Sequence, residues 1–132
     1  MQNTHRLLSP KLCGQVRELG TGSARVEWLA IEEMRADERG LVHGGFVFGL
    51  ADYAAMLAIN DPFVVLGAAE VRFLRPVVVG DTLWAEAREQ PAQGKKRLVL
   101  VEVKREAEVV MSGTFTCFVP AEHVLGAISS AT

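Results

Sequence analysis

Two periodicities divide the chain. Over most of its length apolar and polar side chains alternate with period two. Over one stretch, GLVHGGFVFGLADYAAMLAIN (40–60), the alternation stops and apolar residues run almost unbroken. Period two marks a strand with one buried face, and a long apolar run without it marks a helix. QVREL (15–19) and SARVEWLAI (23–31) alternate around a turn at Gly20-Thr21-Gly22. Beyond the helix, AAEVRFLRP (68–76) sets Ala69, Val71 and Phe73 opposite Glu70 and Arg72. Pro76 ends or edges that strand, because proline has no N–H for the ladder. A turn at Val79-Gly80-Asp81-Thr82 leads into LWAEARE (83–89), and Gly94 opens another turn. RLVLVEVKRE (97–106) and EVVMSGTFTCFV (108–119) read as two long strands from their β-branched and aromatic content, joined by a hairpin at REAE. The order predicts an α+β domain: a largely antiparallel sheet of five or six strands wrapped around one helix of about 16 residues.

That helix has no polar side. At about 100° per residue, Phe46, Leu50, Tyr53 and Leu57 fill one face and Phe48, Ala55, Met56 and Ile59 the other. A helix apolar all round is covered all round, and one sheet covers only one side. The expected cover for the rest is a second copy of the chain. A bilayer would be another cover, but His43, three glycines (Gly44, Gly45, Gly49) and Asp52 oppose it. An acid at mid-span costs about 2.5–3.5 kcal/mol.

Asp52 falls on the same stripe as Gly49 and Gly45, flanked by Phe48 and Met56. An interior glycine costs about 1 kcal/mol against alanine, so the pair needs a reason. Close helix–sheet packing around a structural Asp52 is one. A groove through which a ligand or another backbone reaches the acid is the other. His43-Gly44-Gly45 puts bare N–H groups at the helix start, where an anion or developing oxyanion could sit. The same triplet equally reads as a tight entry capped by His43. Gly44 and Asp52 are eight residues apart, about 12 Å along a helix, too far to act on one carbonyl in one chain. Two helices packed antiparallel about a two-fold axis bring Asp52 of one toward Gly44 of the other. The spacing therefore allows either no joint site or two equivalent sites at a dimer interface.

At 132 residues the chain is read as one domain, 1–132, with 1–13 and 121–132 at its periphery. A net charge of −2 gives no basic field for nucleic acid. The run Lys95-Lys96-Arg97 is a solvated turn or a phosphate contact. Cys13 and Cys117 are far apart, and His5, His43 and His123 show no ligand spacing, so no metal is expected. The N-terminus lacks the apolar core of a secretory signal, so a cytoplasmic location is expected.

HGGFVFGLADYAAMLAIN, then EVRFLRPVVVGDTLWAEA, a Gly-basic turn and GTFTCFV together resemble the hotdog-fold acyl-CoA thioesterases over residues 40–119. The nearest likeness is to the phenylacetic-acid-pathway (PaaI-like) branch. The resemblance implies a hotdog fold, a homodimer or homotetramer, no membrane partner, and hydrolysis of a small, medium-chain or aromatic acyl-CoA to free acid and CoA. No cofactor is implied beyond the CoA thioester as substrate. It makes Asp52 the nucleophile or general base, Gly44 of the partner subunit the carbonyl-polarising N–H, and His43 a neighbour that shapes the site. Asp37 stands where family members often carry Asn or Gln to bind water or the carbonyl, and an ionised acid there cannot donate. Arg75, Lys95 and Lys96 become candidate partners for the CoA phosphates. Gly45 borders the substrate, and Phe48, Met56, Ile59 and Phe63 become candidate lining of the acyl pocket. Since fold does not fix function, a non-catalytic acyl-CoA-binding domain is the alternative. Enoyl-CoA hydration on this fold needs an Asp and a His a few residues apart, whereas His43 lies nine residues before Asp52.

Overall fold

The structure, a computed structural model, describes residues 1–92 and 94–126, so the expected C-terminal periphery lies outside the described residues from 127 onward. The elements are α1 (Pro10–Cys13), β1 (Gln15–Gly20), β2 (Ser23–Leu29), a 3-10 turn (Glu32–Met34), α2 (Gly44–Ile59), β3 (Val65–Phe73), β4 (Thr82–Glu89), β5 (Arg97–Arg105) and β6 (Glu108–Phe118). The strands form one six-stranded sheet in the order β1-β2-β4-β5-β6-β3, antiparallel at every pairing. The expected arrangement is the one found.

Period two sorts the sheet's faces. Val26, Trp28, Leu83, Ala85, Ala87, Val99, Val101, Val103 and Phe115 are buried on the inner face. Against them lie Leu50, Ala51, Ala54, Leu57 and Ala58 of α2. Alanines on both sides, Ala85 and Ala87 of β4 facing those of α2, let helix and sheet approach closely. The Trp28 indole N–H donates to the Leu12 carbonyl at 2.8 Å, so the largest inner side chain leaves no unpaired donor. The outer face carries the alternate residues as charges, with Glu86 between Arg25 (3.8 Å) and Lys104 (2.9 Å).

Alternation in β3 has a different outcome from the one expected. Ala69 is exposed and Phe73 is 54% exposed, because β3 is the sheet's edge strand and has a neighbour on one side only. Its other side offers a row of unpaired backbone groups.

Part of the cover of α2 comes from the chain itself. Tyr53 through Ala58 are all buried within the single chain. The added cover is the chain's own N-terminal segment. The Gln2 amide donates to the Tyr53 hydroxyl (3.0 Å), the Asn3 N–H donates to Asn60 Oδ1 (2.7 Å), and Asn60 Nδ2 donates to the Met1 carbonyl (2.8 Å). Thr4 of this strap is buried, and α1 packs on α2. What stays open on α2 is its first half away from the sheet: Gly45 is exposed, and Phe46, Phe48, Gly49 and Asp52 are partly so. Among the described residues no helix is long and apolar enough to cross a membrane.

Candidate active site

Helix α2 is held at both ends by backbone bonds. The Val42 N–H donates to the Val77 carbonyl (2.8 Å) and the His43 N–H to the Met34 carbonyl (3.0 Å), which aims the entry. At the other end Asn60 adopts a left-handed conformation (φ 55°), and its N–H closes on the Met56 carbonyl. Asp52 thus sits on a rigid rod.

Its carboxylate is short of partners. Oδ1 is sealed from solvent and accepts no hydrogen bond. Burial pushes the Asp52 carboxyl up to about 6. Two thiols lie within reach of its field, Cys13 on α1 and Cys117 on β6. Both are raised first by burial and then by the Asp52 charge, Cys117 to about 12. Both therefore stay protonated at neutral pH and add no second negative charge. Neither cysteine was legible as a neighbour of Asp52, since no local spacing joins them.

The glycine stripe can now be read. A Cβ added at Gly49 would meet nothing within 4 Å, so this glycine serves no close packing inside the chain. It leaves open space beside the acid. A Cβ at Gly45 would meet only the His43 imidazole, at 3.1 Å. At Gly44 it would meet the Phe73 ring at 3.3 Å. The Gly44 and Gly45 N–H groups belong to the first helical turn and have no intrahelical acceptor. His43 is the N-cap residue, but its side chain makes no capping bond. The ring instead meets Phe46 edge-on, at 6.2 Å between centroids.

The candidates gather at two separate ends of the chain. At one end are Asp52, Cys117 and the start of β5, where Arg97 pairs with Cys117 and follows directly on Lys95 and Lys96. At the other are His43, Gly44, Phe73 and Arg75, near the β5–β6 hairpin. From Arg97 to Arg105 the strand runs about 26 Å at 3.3 Å per residue. In one chain Arg75 therefore cannot share a phosphate group with Lys95 or Lys96. Arg75 is paired with Glu108 (3.3 Å), while Lys95 and Lys96 are exposed and make no ion pair among the described residues.

Asp37 is occupied. Its Oδ1 accepts the Arg39 N–H (2.9 Å) and the Leu41 N–H (3.1 Å), so it shapes its own loop. The acyl-lining set separates too. Phe48 is half-buried against Phe115 (5.6 Å between centroids), and Phe63 is 37% exposed just beyond α2. Met56, however, is core at 1% exposure. A concavity of about 1100 Å³ lies on the outer sheet face among charges such as Arg25, Arg72, Glu86 and Lys104. It lies on the other side of the sheet from α2, the helix that carries Asp52.

The sequence profile of the thioesterase superfamily matches residues 39–112. The chain is 46% identical over 112 residues to methylthioribose-1-phosphate isomerase of Aquifex aeolicus, covering 85% of this chain but 25% of that protein. The chain spans between a quarter and three fifths of the length of the first curated relatives it matches. The crystal structure of uncharacterized protein PH1136 from Pyrococcus horikoshii is similar with a TM-score of 0.93 and 56% identity, covering 96% of this chain and 97% of that one. A mutant of the phenylacetic acid degradation protein PaaI from Thermus thermophilus is similar with a TM-score of 0.75 and 31% identity, covering 83% and 95%.

Proposed function

Because the chain belongs to the thioesterase superfamily and has its hotdog fold, we propose that it hydrolyses acyl-CoA thioesters, in a dimer whose two equivalent sites each combine residues of both copies. The observation that carries this reading is Asp52: a partly buried carboxylate on a rigid helix, its Oδ1 sealed from solvent and without a hydrogen bond, beside open space left by Gly49. A group of this kind is destabilising and finds its use in chemistry rather than in folding.

Asp52, largely ionised at neutral pH, takes a proton from water, and the hydroxide forms a C–O bond to the thioester carbon. The carbonyl π pair moves to oxygen, and the oxyanion is held by the free N–H of Gly44 of the partner subunit. The intermediate collapses, the C–S bond breaks, and the proton on Asp52 passes to the departing CoA sulfur. A carboxyl near 6 both takes and returns a proton readily near neutral pH. If Asp52 attacks directly instead, the C–S bond breaks, the CoA thiolate leaves and takes a proton from water, and a mixed anhydride forms. When water opens the anhydride at the Asp52 carbonyl, single turnover in oxygen-18 water labels the Asp52 carboxylate; opening at the acyl carbonyl labels the product acid.

The test is a panel of acyl-CoA substrates with the released thiol trapped, run on wild type and Asp52→Ala together. Turnover that survives Asp52→Ala unchanged removes Asp52 from the mechanism. A second reading, acyl-CoA binding without turnover, draws on Asp37, whose carboxylate is committed to its own loop. Calorimetric binding with no CoA released over hours supports that reading.

A further inference from the structure

Helical phase sets Gly45, Gly49, Asp52, Met56 and Ile59 in one stripe, on the side of α2 away from Leu50, Ala54 and Leu57, which meet the sheet. The stripe changes character at Asp52. Before it lies open space at Gly49. After it Met56 is 1% exposed, although it faces away from the middle of the sheet. The N-terminal segment is bonded to Tyr53 and Asn60, which flank Met56 along the helix, α1 packs on α2, and the Asp52 charge is felt at Cys13.

We infer that residues 1–13 form a latched stop which ends the acyl slot at Asp52 and confines the substrate to short or compact acyl groups. This rests on the thioesterase reading and specifies its substrate class. An acyl chain leaving a carbonyl at Asp52 toward the helix C-terminus meets the strap within about one turn, roughly 5 Å. The latch is small. Asn60 holds the strap twice, through the Asn3 N–H and the Met1 carbonyl, and Tyr53 holds it once, through Gln2. Both Asn60 bonds are exposed, so water can replace them, whereas Thr4 is buried and opposes release. Asn60 and Tyr53 touch no reacting atom. They act through the strap and are specificity-determining residues.

Two substitutions unlatch the strap with little other damage. Asn60→Gly keeps the left-handed helix end that Asn60 occupies, since glycine adopts it freely, and removes both bonds to the strap. Tyr53→Phe keeps the buried ring and removes the hydroxyl. In the double variant the ratio of kcat/KM for decanoyl-CoA to that for butyryl-CoA should rise about fourfold for each methylene that gains an apolar place. The cysteines report on the strap independently of turnover. Cys13 is partly exposed and lies in the segment, while Cys117 is buried in the core. An open strap speeds alkylation of Cys13 and leaves Cys117 protected. Where the double variant also exposes Cys117, the single variants carry the comparison. Faster Cys13 alkylation with an unchanged chain-length ratio overturns the inference, and so does an unchanged Cys13 rate, because the latch then holds nothing. If the wild type releases no CoA from any substrate, the thioesterase reading fails by itself. The chain-length series is then read as Kd, and a longer-chain preference on unlatching still supports the stop.

Discussion

Replacing Asp52 by Asn should stabilise the folded chain at neutral pH, and the gain should disappear in acid. Burial raises the folded carboxyl from the ordinary value of about 3.9 to about 6, and its Oδ1 has no hydrogen-bond partner. Between these two values the unfolded chain has released its proton while the folded chain keeps it. The folded state then binds more protons, so stability falls as pH rises through the window and levels off once both states are ionised. About two pKa units at 1.36 kcal/mol each amount to roughly 3 kcal/mol lost by pH 7.5. That is a large share of the roughly 5–15 kcal/mol typical of a domain. Asn has the same shape without the charge. It should therefore recover about 3 kcal/mol at pH 7.5 and close to nothing at pH 4, while abolishing turnover. Urea unfolding followed by the fluorescence of Trp28 and Trp84 measures both, at one protein concentration because dimerisation would make stability depend on it. No gain at pH 7.5 would mean that the carboxylate is solvated or paired in solution. An equal gain at both pH values would mean that charge is not the cause. Either result removes the argument that Asp52 is a poorly solvated base.

The same ionisation governs rate: kcat/KM should rise with pH through an apparent pKa near 6, and a profile flat from pH 5 to 8 would contradict a base at Asp52. Gly49→Ala meets no atom within 4 Å, so it should stabilise the helix by up to about 1 kcal/mol while narrowing the slot and lowering kcat/KM. Thermal melts and kinetics together check this, and unchanged kinetics would show that the slot lies elsewhere. Gly44→Pro removes the proposed oxyanion donor at the first helical position, where proline is at home after the extended His43. It should fold and lose about 10²–10³ in kcat. Mixing inactive Gly44→Pro and Asp52→Ala chains should restore about a quarter of wild-type activity, since half the dimers are mixed and each has one intact site. No recovery after subunit exchange would refute a site shared between two copies.

Local pattern specified a good deal of this protein. The six strands and the one long helix follow from the periods of the backbone itself, because alternate residues of a strand face opposite ways whatever lies beyond, although β3 runs Val65–Phe73 where the pattern suggested 68–76. The alignment of Asp52 with Gly45 and Gly49, and the distance that separates it from Gly44, follow from helix geometry alone. The chemistry of the stripe came from resemblance to a family rather than from any single residue.

Other features depend on residues far apart in sequence, and no period reports them. The alternation of β3 reads like a strand buried on one face, yet its place at the edge leaves Ala69 and Phe73 open. Asp37 could be read as an acid that orients water or as a loop residue, and its bonds to the Arg39 and Leu41 N–H groups tie it to its loop. Cys13 and Cys117 reach Asp52 only because α1 and β6 fold against α2 from either side. The apolar run of α2 specified that the helix would be covered all round, since burial is a property of side chains. It did not specify by what. That Met1, Gln2 and Asn3 would return to Tyr53 and Asn60 was decided by tertiary structure, because a cover is chosen by where the chain passes and not by the surface it hides.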